Sequence, residues 1–133
     1  MAATFEIISR DDGAAMRLRG DDRDYFIAEL RGLNLTGQAR VGTYMSAGLA
    51  AMFAEMAASW RGWSGKKSWA SLEGELHLSA EADRTGHIAL TVELREGAPS
   101  VWTVTLLLIV EAGQLDDLAR AARAFEDSVL SAA

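Results

Sequence analysis

Short alternating segments fill the first third of the chain, a segment of helical period follows, and the same two kinds of pattern then recur. Thr4–Ser9 is a β-prone run, and Asp11-Asp12-Gly13 after it is a turn signal. Ala15–Arg19 predicts a second strand ended by Gly20-Asp21-Asp22. Tyr25–Arg31 predicts a third ended by Gly32, and Asn34–Thr43 a fourth interrupted by Gly37 and Gly42. Ser46 is suited to an N-cap. Beyond it Leu49, Met52, Phe53, Met56 and Trp60 recur at steps of three and four, which predicts a helix over Ala47–Trp60 that stops at Gly62.

From Trp69 to Ala80 the period changes to two. Leu72, Gly74, Leu76 and Leu78 share one face, and Glu73, Glu75, His77 and Ser79 the other, as in a sheet with one wet face. Ile88, Leu90, Val92 and Leu94 repeat the pattern, and Asp83-Arg84-Thr85-Gly86 joins the two strands as a hairpin. Val101–Val110 is apolar on both sides at Leu106, Leu107, Leu108 and Ile109, so it is expected in the middle of the sheet. Gly113-Gln114 opens a last helix with Leu115, Leu118, Ala122, Phe125 and Val129 as its stripe. Asp116 and Asp117 stand in its first turn, and Arg123 and Asp127 are spaced to pair. The expected fold is a single α+β domain over residues 1–133. It has an antiparallel sheet of about six to seven strands with two helices packed on one face, in the order strands-α-βββ-α.

Composition keeps the chain in the globular class: 133 residues, 50% hydrophobic and 24% charged. The absence of cysteine removes disulfides, thiolate metal sites and a thiol nucleophile. Glu6, Arg10, Asp11 and Asp12 interrupt the apolar segment that a signal peptide needs, and no apolar run is long enough for a bilayer. A soluble, cytoplasmic protein without a membrane partner is expected. The net charge of −6 repels phosphate backbones, so no nucleic-acid partner is expected. The only lysines, Lys66 and Lys67, make one basic spot with Arg61 on an acidic body.

Three of the four tryptophans, Trp60, Trp63 and Trp69, crowd the joint between the first helix and the next strand. Trp60 ends the helix stripe and Trp69 begins a strand, so both are expected in the core, while Trp63 stands between packing and exposure. Trp102 fits a core-facing strand position. His77 and His87 would face each other across the hairpin, with Glu75 near, only in one register. The aspartates at positions 11, 12, 21, 22 and 24 lack calcium-loop spacing and read as turn chemistry. Phosphate loops, dinucleotide fingerprints and a serine elbow are absent. No catalytic residue, metal ligand or cofactor is therefore assigned.

Gly48-Leu49-Ala50, Phe53-Ala54-Glu55, Trp60-Arg61-Gly62-Trp63, Trp69, Leu72-Glu73-Gly74-Glu75-Leu76, Gly86-His87-Ile88 and Glu111-Ala112-Gly113-Gln114-Leu115 together resemble a family of short bacterial proteins, frequent in actinobacteria, grouped as a domain of unknown function. The resemblance covers the chain from about Leu33 onward and implies no activity, so no catalytic residue is carried over. Size and acidity are also similar to those of bacterial immunity proteins. The expected function is a non-catalytic binding module whose partner is a protein or a second copy of the chain. Arg61, Trp63, Lys66 and Lys67 form one candidate contact patch, and Glu73, Glu75 and Glu93 a second. The alternatives are a small-ligand pocket between helices and sheet, floored by Met52, Met56 and the tryptophans, and a metal-dependent enzyme using the histidines or aspartates.

Overall fold

A computed structural model describes residues 3–22, 24–43, 48–96 and 101–131. Four strands come first: β1 (Thr4–Ile8), β2 (Ala15–Asp22), β3 (Tyr25–Gly32) and β4 (Leu35–Gly42). Helix α1 (Leu49–Ala58) follows. Then come β5 (Lys67–Ala70), β6 (Leu76–Ala82), β7 (His87–Glu96) and β8 (Trp102–Glu111). A 3-10 turn at Ala112–Gln114 leads into α2 (Leu115–Ser131). The element order ββββα thus occurs twice, although the sequence contains no repeat.

The single sheet of six to seven strands is corrected to two four-stranded antiparallel sheets, ordered β1-β2-β3-β4 and β5-β6-β7-β8. Alternation reveals which side of a strand is buried. It does not reveal whether strands join edge to edge or face another sheet. Here β8 packs its inner side against the first sheet. An added Cβ on Gly37 would lie 3.3 Å from Val104 Cγ2, and one on Gly32 3.2 Å from Leu106 Cδ2, so these glycines admit the close approach. At the far end of β8 the Arg10 N–H donates to Ile109 O and the Ile109 N–H to Ser9 Oγ, both at 2.9 Å. The expectation that Val101–Val110 is a central strand is corrected too. β8 is an edge strand, apolar on its inner side because that side faces the first sheet, and Leu107 on its outer side is 51% exposed.

The expected βββ run is also corrected, because Trp69–Ala80 is two strands. A turn at Ser71–Glu75 separates β5 from β6, with Gly74 at φ 77°. Ser71 is buried; its hydroxyl donates to Glu75 Oε1 at 2.7 Å and accepts the Leu76 N–H at 3.2 Å. Leu72, expected on the core face, lies in this turn and is exposed.

The helices do not share one face of one sheet. They pack on each other, α2 also lies on β1 and β2, and α1 lies beside β5. The Ser46 N-cap falls outside the described residues. The observed N-cap is Gly48, at φ 115° and with no side-chain cap of its own. All four phenylalanines meet in the core. Phe5 and Phe53 stand 5.3 Å apart between ring centres, Phe5 and Phe125 6.5 Å, and Phe26 and Phe125 5.5 Å. β1, β3, α1 and α2 are thereby joined around one aromatic cluster. Among the described residues no helix is long and apolar enough to cross a membrane.

Candidate functional site

The helix-to-strand joint carries the tryptophans, and the structure separates their roles. Trp60, expected in the core, is 56% exposed because α1 ends at Ala58 and the chain turns out at Ser59 and Gly62. The Arg61 guanidinium lies 5.0 Å from the centre of its ring. Trp69 packs against the core, half-buried, with its Cδ1 3.4 Å from where a Gly48 Cβ would stand. Trp63 is half-buried and donates its Nε1–H to Ala80 O at 3.2 Å. Lys67 Nζ stands 5.3 Å above the Trp63 ring and 2.9 Å from Glu55 Oε1. Trp102 is half-buried and donates to Glu96 Oε2 at 2.8 Å.

The candidate patch of Arg61, Trp63, Lys66 and Lys67 is therefore divided. Arg61 stays outside on Trp60, whereas Trp63 and Lys67 hold the joint together. Lys66 borders a shallow depression of about 320 Å³ on the outer face of the second sheet, with Ser68, His77, Ser79, Thr91 and Glu93. The acidic set is divided too. Glu93 lies in this depression, 3.7 Å from Arg95 Nε, and Glu73 is exposed in the β5–β6 turn. Glu75 is half-buried and bridges the sheets, since its Oε2 accepts the Gly42 N–H at 3.3 Å. Asp24, Tyr25, Gly42, Leu72, Glu73 and Glu75 line a neighbouring cleft of about 410 Å³.

The hairpin register pairs His77 with Glu93 and His87 with Glu111, so the histidines do not face each other. His87 belongs to the β6–β7 turn. There the Asp83 carboxylate accepts the His87 N–H at 3.0 Å and the Thr85 N–H and hydroxyl at 2.7 and 2.8 Å. These donors, the His87 N–H foremost, hold the Asp83 pKa below its ordinary value of 3.8. The Asp11 pKa is lowered chiefly by the Ser9 hydroxyl. Asp12 and Asp22 accept backbone N–H groups of their own turns. Among the described residues no three histidine or carboxylate side chains gather as a metal would require. Met52 and Met56 are buried. The gap beside α1 and α2, lined by Phe26, Leu49, Trp69, Phe125 and Glu126, is about 10 Å³, room for about one water at most.

Two features escaped the sequence. Glu126, buried on α2, accepts the Gly48 and Ala50 N–H groups on Oε1 at 3.1 and 3.3 Å, and its Oε2 takes Arg123 at 3.1 Å. It caps α1 from another helix. The second feature is the outer face of the first sheet. Across the strands its rows run Thr4–Arg19–Ile27–Arg40, Glu6–Arg17–Glu29–Gln38 and Ile8–Ala15–Arg31–Thr36. Its four arginines stand among four carboxylates, Glu6 and Glu29 in the rows and Asp21 and Asp22 beside Arg40. Arg40 lies 4.2 Å from the Tyr25 ring centre and pairs with Asp21 and Asp22, and Arg31 pairs with Glu29. Arg17 and Arg19 have no ion-pair partner among the described residues. The signal was present as arginines at the polar positions of three successive strands.

These features define an α+β protein of two sheets and two helices, with its chemistry on outward faces. The chain belongs to the family of unknown function DUF6228, which matches residues 8–129. No curated protein and no solved structure matched the chain.

Proposed function

We propose that the chain is a small non-catalytic protein-binding module that works in the bacterial cytoplasm, in the manner of an immunity protein. The observation that carries this reading is Trp60, a large aromatic side chain 56% exposed with Arg61 stacked on it. Tryptophan and arginine are the residue types that dominate binding energy at protein interfaces. An apolar ring left in water at a helix end contributes little to the fold and much to a contact that covers it. Arg61 is kept from the original patch, and Trp60 takes the role first given to Trp63. The bacterial, actinobacterial-type origin rests on the Trp60-Arg61-Gly62-Trp63 motif and belongs to the same reading.

The test is a pull-down of the tagged protein from the lysate of its own host, run beside Trp60→Ala and read by mass spectrometry. One protein retained by the parent, whose purified form binds Trp60→Ala at least about tenfold more weakly, is the expected result. Equal retention by both forms, or no retained protein, overturns the reading.

A further inference from the structure

We propose that Ser9 and Arg10, in the turn between β1 and β2, guard the edge of β8, and that releasing them lets β8 pair with the β8 of a second copy. The device acts at a different surface from Trp60.

Each sheet has two outer strands, and their sequences differ in how they resist a new neighbour. A charged side chain or a short length discourages edge-to-edge pairing. β1 carries Glu6, β4 carries Arg40, and β5 has 4 residues including Lys67. β8 has 10 residues and no charge before Glu111. Its stretch Val104-Thr105-Leu106-Leu107-Leu108-Ile109-Val110 is β-branched or apolar throughout, without proline or glycine, and Leu107 is exposed. Segments of that kind pair with copies of themselves.

The β1–β2 turn covers the edge where such pairing needs it. The Arg10 N–H donates to Ile109 O, and Ser9 Oγ accepts the Ile109 N–H, both at 2.9 Å. Ile109 therefore turns both backbone groups away from β7, and by alternation Leu107 and Thr105 turn theirs to the same edge. In an antiparallel pair of β8 strands centred on Leu107, Ile109 would stand opposite Thr105 of the other copy and exchange two hydrogen bonds with it. Ser9 and Arg10 already hold both groups of Ile109. The hold is itself fixed: Ser9 is buried, its hydroxyl donates to Asp11 Oδ1 at 2.5 Å, and Arg10 Nε lies 3.6 Å from Glu111 Oε1. With the hydroxyl hydrogen committed to Asp11, a lone pair of Oγ is left for the Ile109 N–H.

The experiment is sedimentation velocity of the full chain over a wide concentration range. It is run beside Ser9→Ala/Arg10→Pro, which removes the acceptor and the donor together, with near-UV circular dichroism to establish the fold. The double variant should self-associate at least about tenfold more tightly than the parent. Exchange of its Leu107 and Thr105 amides should slow at least about tenfold in the dimer. Adding Leu107→Lys places a charge on the paired strand and should return association to the parent's level. Ser9→Ala alone serves, with the same expected direction, if the double variant does not fold. A folded variant that associates no more tightly than the parent overturns the proposal. So does a dimer whose Leu107 and Thr105 amides exchange as in the parent, or one that Leu107→Lys leaves intact. A dimer abolished by Trp60→Ala in the same background uses another surface and overturns it too.

Discussion

Glu126 belongs to α2, yet its carboxylate meets the first N–H groups of α1, where the helix dipole favours negative charge. Gly48 offers no side chain for that purpose. Glu126→Ala leaves buried donors unsatisfied and should lower stability by about 2 kcal/mol. Glu126→Gln, which keeps an oxygen acceptor, should cost about half as much. Urea unfolding of both variants checks this, and parental midpoints would remove the capping role. The tryptophans give a second contrast at the same scale. Trp69→Ala opens a gap beside Phe26 and Phe125 and should cost about 2 kcal/mol, whereas Trp60→Ala should stay within about 0.5 kcal/mol. A thermal scan of the pair suffices, and equal losses would contradict the exposure of Trp60. The sequence pattern made Trp60, at the end of a helix stripe, and Trp69, at the start of a strand, look alike, because periodicity records spacing and not where a helix ends. Glu126 stood one step beyond Phe125 on the flank of the α2 stripe, and only folding brings it to Gly48.

The hairpin of β6 and β7 was legible because its turn residues and its alternation agree. Asp83 organises that turn, and its lowered pKa fixes the sign of the pH effect. A carboxylate depressed in the folded chain adds stability that is complete above 3.8 and is lost as pH falls through the lower folded value. Carbon-detected titration should give Asp83 a midpoint below 3.8, and the Thr85 and His87 amide signals should move with it; a midpoint at or above 3.8 would contradict the turn geometry. The β5–β6 turn was not legible. Leu72 and Gly74 continue the two-residue period, so alternation ran through a bend held by the Ser71 hydroxyl and a positive φ at Gly74. Between the sheets, Gly37→Val would drive branched carbons into Val104 and should destabilise by about 1–3 kcal/mol. Adding Val104→Ala should recover part of that loss. A double mutant no more stable than Gly37→Val alone would show that this contact does not join the sheets.

The two ββββα units interlock. α2, from the second, packs on β1 and β2 of the first, and the phenylalanine cluster draws on both. Fragments 1–60 and 61–133 should each lack cooperative unfolding and regain helix signal when mixed. A fragment that unfolds cooperatively alone would show an independent core. Charge also has its distribution at this scale. Arginines 17, 19, 31 and 40, separate in sequence, share one side of the first sheet in the register, where Glu6, Glu29, Asp21 and Asp22 stand among them.

By itself the sequence determined the strand-and-helix character of most segments, the polar and apolar sides of the strands, both helix stripes and the β6–β7 turn. Those properties depend on neighbours within a few residues, and a period of two or of three to four expresses them directly. Tertiary structure decided that the strands divide into two sheets, that β8 is an edge, that Trp60 faces water and that Glu126 caps a helix far away in sequence. Each of these is a contact or an opening between segments whose separation along the chain carries no local signature.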